Sequence, residues 1–227
     1  MRRPFWMSGL LGLALIAMSV VLLVVNPASA VALPEGFFTP VVAFEFVETA
    51  EEVRQLFGPA PTPEQAALVR AMDLGSRIDF GYMLLYAAFL ATFCHTAARR
   101  SGRRWFYVGA ALALLAAAAD AVENVQLLAI TARLDAPDLA EAIGRELLVL
   151  RWATWLKWGG LAVLFLNLAP YFARGNPYAR FVGTFTAVPF VLGALAFFNR
   201  GLLNELFALS VALMFLLLII YAWTTPK

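Results

Sequence analysis

Apolar positions along this chain gather into six long, nearly continuous runs instead of alternating with polar ones. The runs cover residues 5–25, 75–97, 105–130, 147–172, 181–198 and 205–223. Each is close to the roughly 20 residues an α-helix needs to cross the hydrocarbon of a bilayer, so the pattern predicts six transmembrane helices. The run at 147–172 carries internal charge and is the least apolar. A long polar stretch, residues 26–74, separates the first two runs, and the other connections are short.

That stretch carries helix signals of its own. Thr49-Ala50-Glu51-Glu52 has the form of a capping box, Val53, Leu56 and Phe57 supply an apolar stripe, and Gly58-Pro59 is a stop. Thr62-Pro63-Glu64-Gln65 offers a second start, with proline at the first helical position, and predicts a helix running through 66–72 into the second span. Phe37, Phe38, Phe44 and Phe46 suit an interfacial segment lying against the bundle. The fold expected is an all-α integral membrane protein, a bundle of about six transmembrane helices with a partly helical outer loop. Its organisation would be a signal-anchor-like helix (1–25), an extracytoplasmic loop (26–74) and a five-helix bundle (75–227).

Composition agrees with lipid as the solvent. Of 227 residues 62% are hydrophobic and 14% charged, with a mean hydropathy of +0.78, whereas water-soluble domains carry about a quarter charged residues. A net charge of only +2 and a single cysteine, Cys94, exclude a nucleic-acid partner and a disulfide framework. Arg2 and Arg3, the apolar run and Ala28-Ser29-Ala30 resemble a secretory signal, but the uncharged run 4–25 exceeds the 7–15 residues of a signal core; a retained first helix is expected.

Orientation follows from the positive-inside rule. Arg2, Arg3, Arg99, Arg100, Arg103, Arg104, Arg174, Arg180 and Lys227 all fall on one side, with no Asp or Glu among them. The expectation is a bacterial-type plasma (inner) membrane with both termini cytoplasmic.

Charges inside the spans carry the candidate chemistry. Asp120, Glu123 and Asn124 lie at i, i+3 and i+4 and so share one helix face. The next span holds Arg151, Thr154 and Lys157. An ionised group at mid-bilayer costs on the order of 3 kcal/mol or more, so these groups require partners. Folding the third and fourth spans about Asp138 places Asp120 level with Lys157, Glu123 with Thr154 and Gln126 with Arg151. At about 1.5 Å per residue, Asp120 and Lys157 then lie roughly 15 Å below the outer surface. Folding the second and third spans about the Arg99–Arg104 turn brings Asp79 to the level of Glu123 and Tyr82 to that of Asp120, with Arg77 one turn higher. Asn199, Arg200, Asn204 and Glu205 fall at the outer rim.

Intramembrane ionisable residues usually mark function. The reading drawn from them is a polar pocket open to the outer side, binding or acting on a lipid-like or amphiphilic ligand. Asp120 or Glu123 would donate or accept a proton. Arg77, Arg151 and Lys157 would hold an anionic head group, Tyr82 and Asn124 would orient it, and Asp79, Thr154 and Trp155 would complete the wall. An oxygen-ligand cation site at Asp79, Asp120, Glu123 and Asn124 is chemically open, but the adjoining Arg and Lys oppose it, and neither metal nor cofactor is expected. His95, the only histidine, falls near a helix end. Two other classes remain open: an accessory or assembly subunit whose buried ion pairs are structural, and a proton-coupled transporter, which the apolar inner halves of the spans disfavour. Membrane lipid is the expected surrounding, and no protein partner is specified.

Overall fold

The computed structural model describes residues 4–58 and 62–225. Arg2, Arg3 and Lys227 of the positive side and Pro59 of the expected stop lie outside the described residues. Those described form nine α-helices and no strand: α1 (Trp6–Val25), α2 (Pro40–Glu45), α3 (Ala50–Phe57), α4 (Pro63–Ser101), α5 (Phe106–Thr131), α6 (Leu139–Phe172), α7 (Pro177–Phe185), α8 (Ala187–Phe198) and α9 (Leu202–Thr224). Six segments are long and apolar enough to cross a membrane: α1, α4, α5, α6, the α7–α8 pair and α9. The end of the bundle bearing the loop between α1 and α4 is termed outer, and the arginine-rich end inner.

Local chemistry explains the boundaries. Thr49 Oγ1 accepts from the Glu52 amide at 3.2 Å, as a cap of α3 should, but the Glu52 carboxylate accepts from the amide of Glu48 at 2.7 Å and not from that of Thr49. The box is thus closed one residue early. Thr62 caps α4 through the Gln65 amide at 3.1 Å, and Asp138 caps α6 through the Glu141 amide at 3.1 Å. The fifth span breaks at Thr186, four residues after Val182 and three before Pro189. Pro189 has no amide to offer the Phe185 carbonyl, and the Thr186 hydroxyl donates to the Gly183 carbonyl at 2.7 Å.

α4 and α6, with 39 and 34 residues, extend roughly 58 and 51 Å, well beyond about 30 Å of hydrocarbon. The sequence boundary at 74/75 therefore falls inside α4. The outer ends of α4, α5 and α6 share a second core with α2 and α3, in which Phe44, Phe46, Phe57, Met72, Ile130 and Leu150 are buried. The phenylalanine-rich segment is consequently packed in, not laid against the bundle: Phe37, Phe44 and Phe46 are buried and only Phe38 is exposed. The inner core is aromatic, with Phe89, Phe93, Phe165 and Phe172 all buried.

α2 roofs the bundle, and side chains from α6, α9 and the α8–α9 turn hold it. Glu205 of α9 accepts from the amides of Phe38 and Thr39 at 3.0 and 2.8 Å and from the Thr39 hydroxyl at 2.7 Å, so a carboxylate closes the free amides at the start of α2. Thr154 of α6 donates to the Glu45 carbonyl at 3.1 Å, and Arg200 donates to the Phe46 carbonyl at 2.5 Å. The chain entering α2 crosses the α8–α9 turn at Gly36 and Gly201, whose φ angles are 79° and 89°. A Cβ on Gly201 would stand 2.7 Å from the Glu35 carbonyl oxygen, so both the backbone angle and the close approach require glycine here.

Candidate functional site

Lys157 is the hub. Its Nζ donates to Glu123 Oε1, lies 3.1 Å from Glu45 Oε2 and 3.4 Å from Asp120 Oδ1, and stands 5.0 Å from the centre of the Trp158 ring. The Trp158 indole in turn donates to Glu45 Oε2 at 2.9 Å. Tyr86 donates to Asp120 Oδ2 at 2.9 Å, and Asn124 donates to Asp79 Oδ2 at 2.7 Å. The ammonium thus supplies the positive charge among the carboxylates. Three carboxylates, Glu45, Asp120 and Glu123, surround one ammonium, and a fourth, Asp79, joins the site through Asn124.

The sequence-predicted residues divide between this cluster and its surroundings. Asp120, Glu123, Asn124, Asp79 and Lys157 come together. Thr154 is buried above them and is spent on the α2 backbone. Tyr82 lies beside the cluster, edge-on to Tyr86 with ring centres 5.8 Å apart. Arg77 is exposed and joins no ion pair among the described residues. Arg151 is half-exposed and pairs with Glu48 of the outer loop at 3.5 Å, away from the cluster. Trp155 packs on Phe46 and Phe197, with ring centres 5.3 and 5.0 Å away. Gly160 admits α5: a Cβ there would lie 3.8 Å from that of Ala116. His95 is exposed, with its ring 5.7 Å from that of Tyr107.

Two members escaped the sequence reading. Tyr86, one turn deeper than Tyr82, takes the contact with Asp120. Side chains lean toward the N-terminus of their helix; α4 and α6 begin at the outer end and α5 at the inner. Tyr86 and Lys157 therefore lean outward while Asp120 and Glu123 lean inward. The same lean carries Lys157 up to Glu123 as well as to its level partner Asp120. Glu45 was hidden in the aromatic segment. A signal was present, because it is the only charge between residues 37 and 47, and a lone charge in an apolar run needs a partner.

Two buried oxygens in the cluster, Asp120 Oδ1 and Glu123 Oε2, have no hydrogen-bond partner among the described residues. Asp120 Oδ1 has the Lys157 ammonium 3.4 Å away as its ion-pair partner; for Glu123 Oε2, a buried oxygen without a hydrogen bond is rare in folded proteins. Asp120 faces a cavity of about 570 Å³, within the 300–1,000 Å³ typical of ligand sites. Glu45, Asp79, Tyr86 and Lys157 complete its polar floor, α2 forms its roof, and α1 and α9 form its apolar sides. A groove of about 210 Å³ continues from it between α1 and α9, sharing Ser19, Leu23, Tyr82, Ala212 and Phe215 with the cavity. Toward the inner end those two helices close up: a Cβ on Gly9 would meet the Trp223 ring at 2.9 Å, and one on Gly12 would meet Ile219 at 2.6 Å.

No protein-family model, curated protein or solved structure matches the chain.

Proposed function

We propose that this is a multi-pass protein of a bacterial-type inner membrane, with both termini cytoplasmic, whose outer-half cavity binds or acts on a lipid-like, amphiphilic molecule. The positive-inside distribution of arginines supports the orientation. The carrying observation for the pocket is a buried carboxylate, Asp120, ion-paired to Lys157 and placed in the wall of a cavity that runs into a groove between apolar helices. Asp120 is the group placed to exchange a proton with a bound molecule, and Glu123, joined to it through the Lys157 ammonium, is the second carboxylate of the pair.

Geometry supports a different division of labour from that expected of the sequence. Arg77, Arg151, Thr154 and Trp155 do not line the cavity, and its apolar slot runs between α1 and α9. A second reading, an accessory subunit with a structural ion cluster, draws on the way Lys157 and its partners tie α2, α5 and α6 together. Mass spectrometry of the protein extracted in mild detergent separates the two. The pocket reading expects a copurifying amphiphile that is lost when Ala212→Trp fills the shared wall of cavity and groove. A clean protein, or the same lipids retained by the variant, favours the accessory reading.

A further inference from the structure

Charge around the cavity restricts what it can hold. Three carboxylates, those of Glu45, Asp79 and Asp120, line it against the single ammonium of Lys157, and Glu123 stands behind. Lys157 is already shared by three acids, so it is not free to receive an anion. The arginines nearest the site point elsewhere: Arg151 pairs with Glu48, Arg200 with Glu48 and Glu52, and Arg77 is exposed. A phosphate or carboxylate head group would face an acidic floor without a compensating donor, and burying charges of like sign is costly. A cationic head meets the opposite conditions. Asp120 Oδ1 makes no hydrogen bond and has only the shared Lys157 ammonium at 3.4 Å, and Tyr82, Tyr86 and Trp158 bring aromatic rings to the wall, which attract an ammonium over their faces.

The apolar end restricts the tail. Between Leu15 and Leu23 of α1 the groove follows α9 for roughly 12 Å, then ends where Gly9 and Gly12 bring the two helices together. Its edges include Val20 and Leu216, which are exposed on the bundle's outside. The opening is therefore sideways, toward the surroundings of the helices.

We propose that the cavity takes a single-chain amphiphile with an ammonium-type cationic head, which enters sideways between α1 and α9, sets its head against Asp120, Glu45 and Asp79, and lays its chain along the groove. This rests on the pocket reading above and names its ligand class.

The test uses three probes of equal chain length, dodecylamine, dodecan-1-ol and dodecanoic acid, at neutral pH, where the amine is charged and the acid ionised. Retention on the purified full-length protein is read by native mass spectrometry. Dodecylamine is expected to bind at least about tenfold more tightly than the other two, the scale of one charge-assisted contact. The preference should shrink in Asp120→Asn and, should that variant fold poorly, in Glu45→Gln. Ala212→Trp should abolish retention of all three. Equal or stronger binding of the alcohol or the acid, still blocked by Ala212→Trp, would overturn the cationic class while the pocket stands. Retention of no probe, or retention indifferent to Ala212→Trp, would overturn the pocket and this inference together.

Discussion

At the inner end of the α5–α6 hairpin, Ala116 faces Gly160, and a Cβ on Gly109 would come within 2.8 Å of Cys94 Sγ and 3.0 Å of Asn167 Oδ1. At the outer end of the same two helices, Lys157 is surrounded by Glu123, Asp120 and Glu45. One end is closed by volume, with small residues letting backbones approach as they do in membrane bundles. The other is closed by charge, and beside it a cavity lies beneath α2. The contrast teaches that substitutions at the two ends should obey different rules: size within the inner half, and sign and count of charges within the outer.

The largest effect is expected from the hub. Lys157→Met removes the one cation from among four carboxylates, and breaking a buried ion pair from one side costs about 3–5 kcal/mol. Melting of the purified protein should show a loss of that order. A simple pairing of Asp120 with Lys157 would let Asp120→Ala rescue it; the observed geometry does not, because Glu123 and Glu45 would remain uncompensated. Full rescue by the double change would show that Asp120 alone balances Lys157, and the outer-end rule would fail.

How much of this was legible beforehand differs between the ends in the same way. The spans and the helix entering at Thr62 follow from local pattern, because apolar length and capping are properties of consecutive residues. The meeting of α5 and α6 at Asp120, Glu123 and Lys157 follows from hairpin arithmetic. That arithmetic compares Cα heights and ignores the lean of side chains along their helices, which is why Tyr86 replaces Tyr82 and why Lys157 reaches both acids of α5. A hairpin also leaves helix rotation open, so Arg77 and Arg151, at suitable heights, turn out to face away from the cluster. Glu45 depended on how a loop folds back over the bundle, settled by the distant contacts of Glu205, Arg200 and Thr154 and not by the loop's own pattern.

A smaller effect tests the inner end. Gly109→Leu forces a side chain into the space of Cys94 and Asn167, and overpacking of this kind costs about 1–3 kcal/mol. A melt should show that loss, while retention of an amphiphile in the cavity stays as in the parent, since Gly109 lies outside its wall. Unchanged stability would mean that α4 and α6 yield freely there, and that volume does not govern the inner half.

Glu45→Gln should cost less still. Its amide oxygen keeps the bond from the Trp158 indole, and Lys157 retains Glu123 and Asp120. The expected loss is within about 1 kcal/mol, the net worth of one hydrogen bond, and a loss matching that of Lys157→Met would show the roof to be held chiefly by this contact.

Glu123→Gln should have the smallest effect, and it examines the excess of acids directly. If four carboxylates compete for one ammonium, removing a negative charge while keeping an acceptor for Lys157 relieves repulsion as much as it weakens attraction. Stability should then stay within about 1 kcal/mol of the parent. Glu123 is fully buried behind Lys157 and does not line the cavity, so its charge reaches a bound head group only across the ammonium. Dodecylamine retention should fall only a few-fold, clearly less than in Asp120→Asn, a change in the cavity wall itself. A Glu123→Gln protein as unstable as Lys157→Met would show that every carboxylate is needed to balance the hub, and that the outer end carries no charge left over for a ligand.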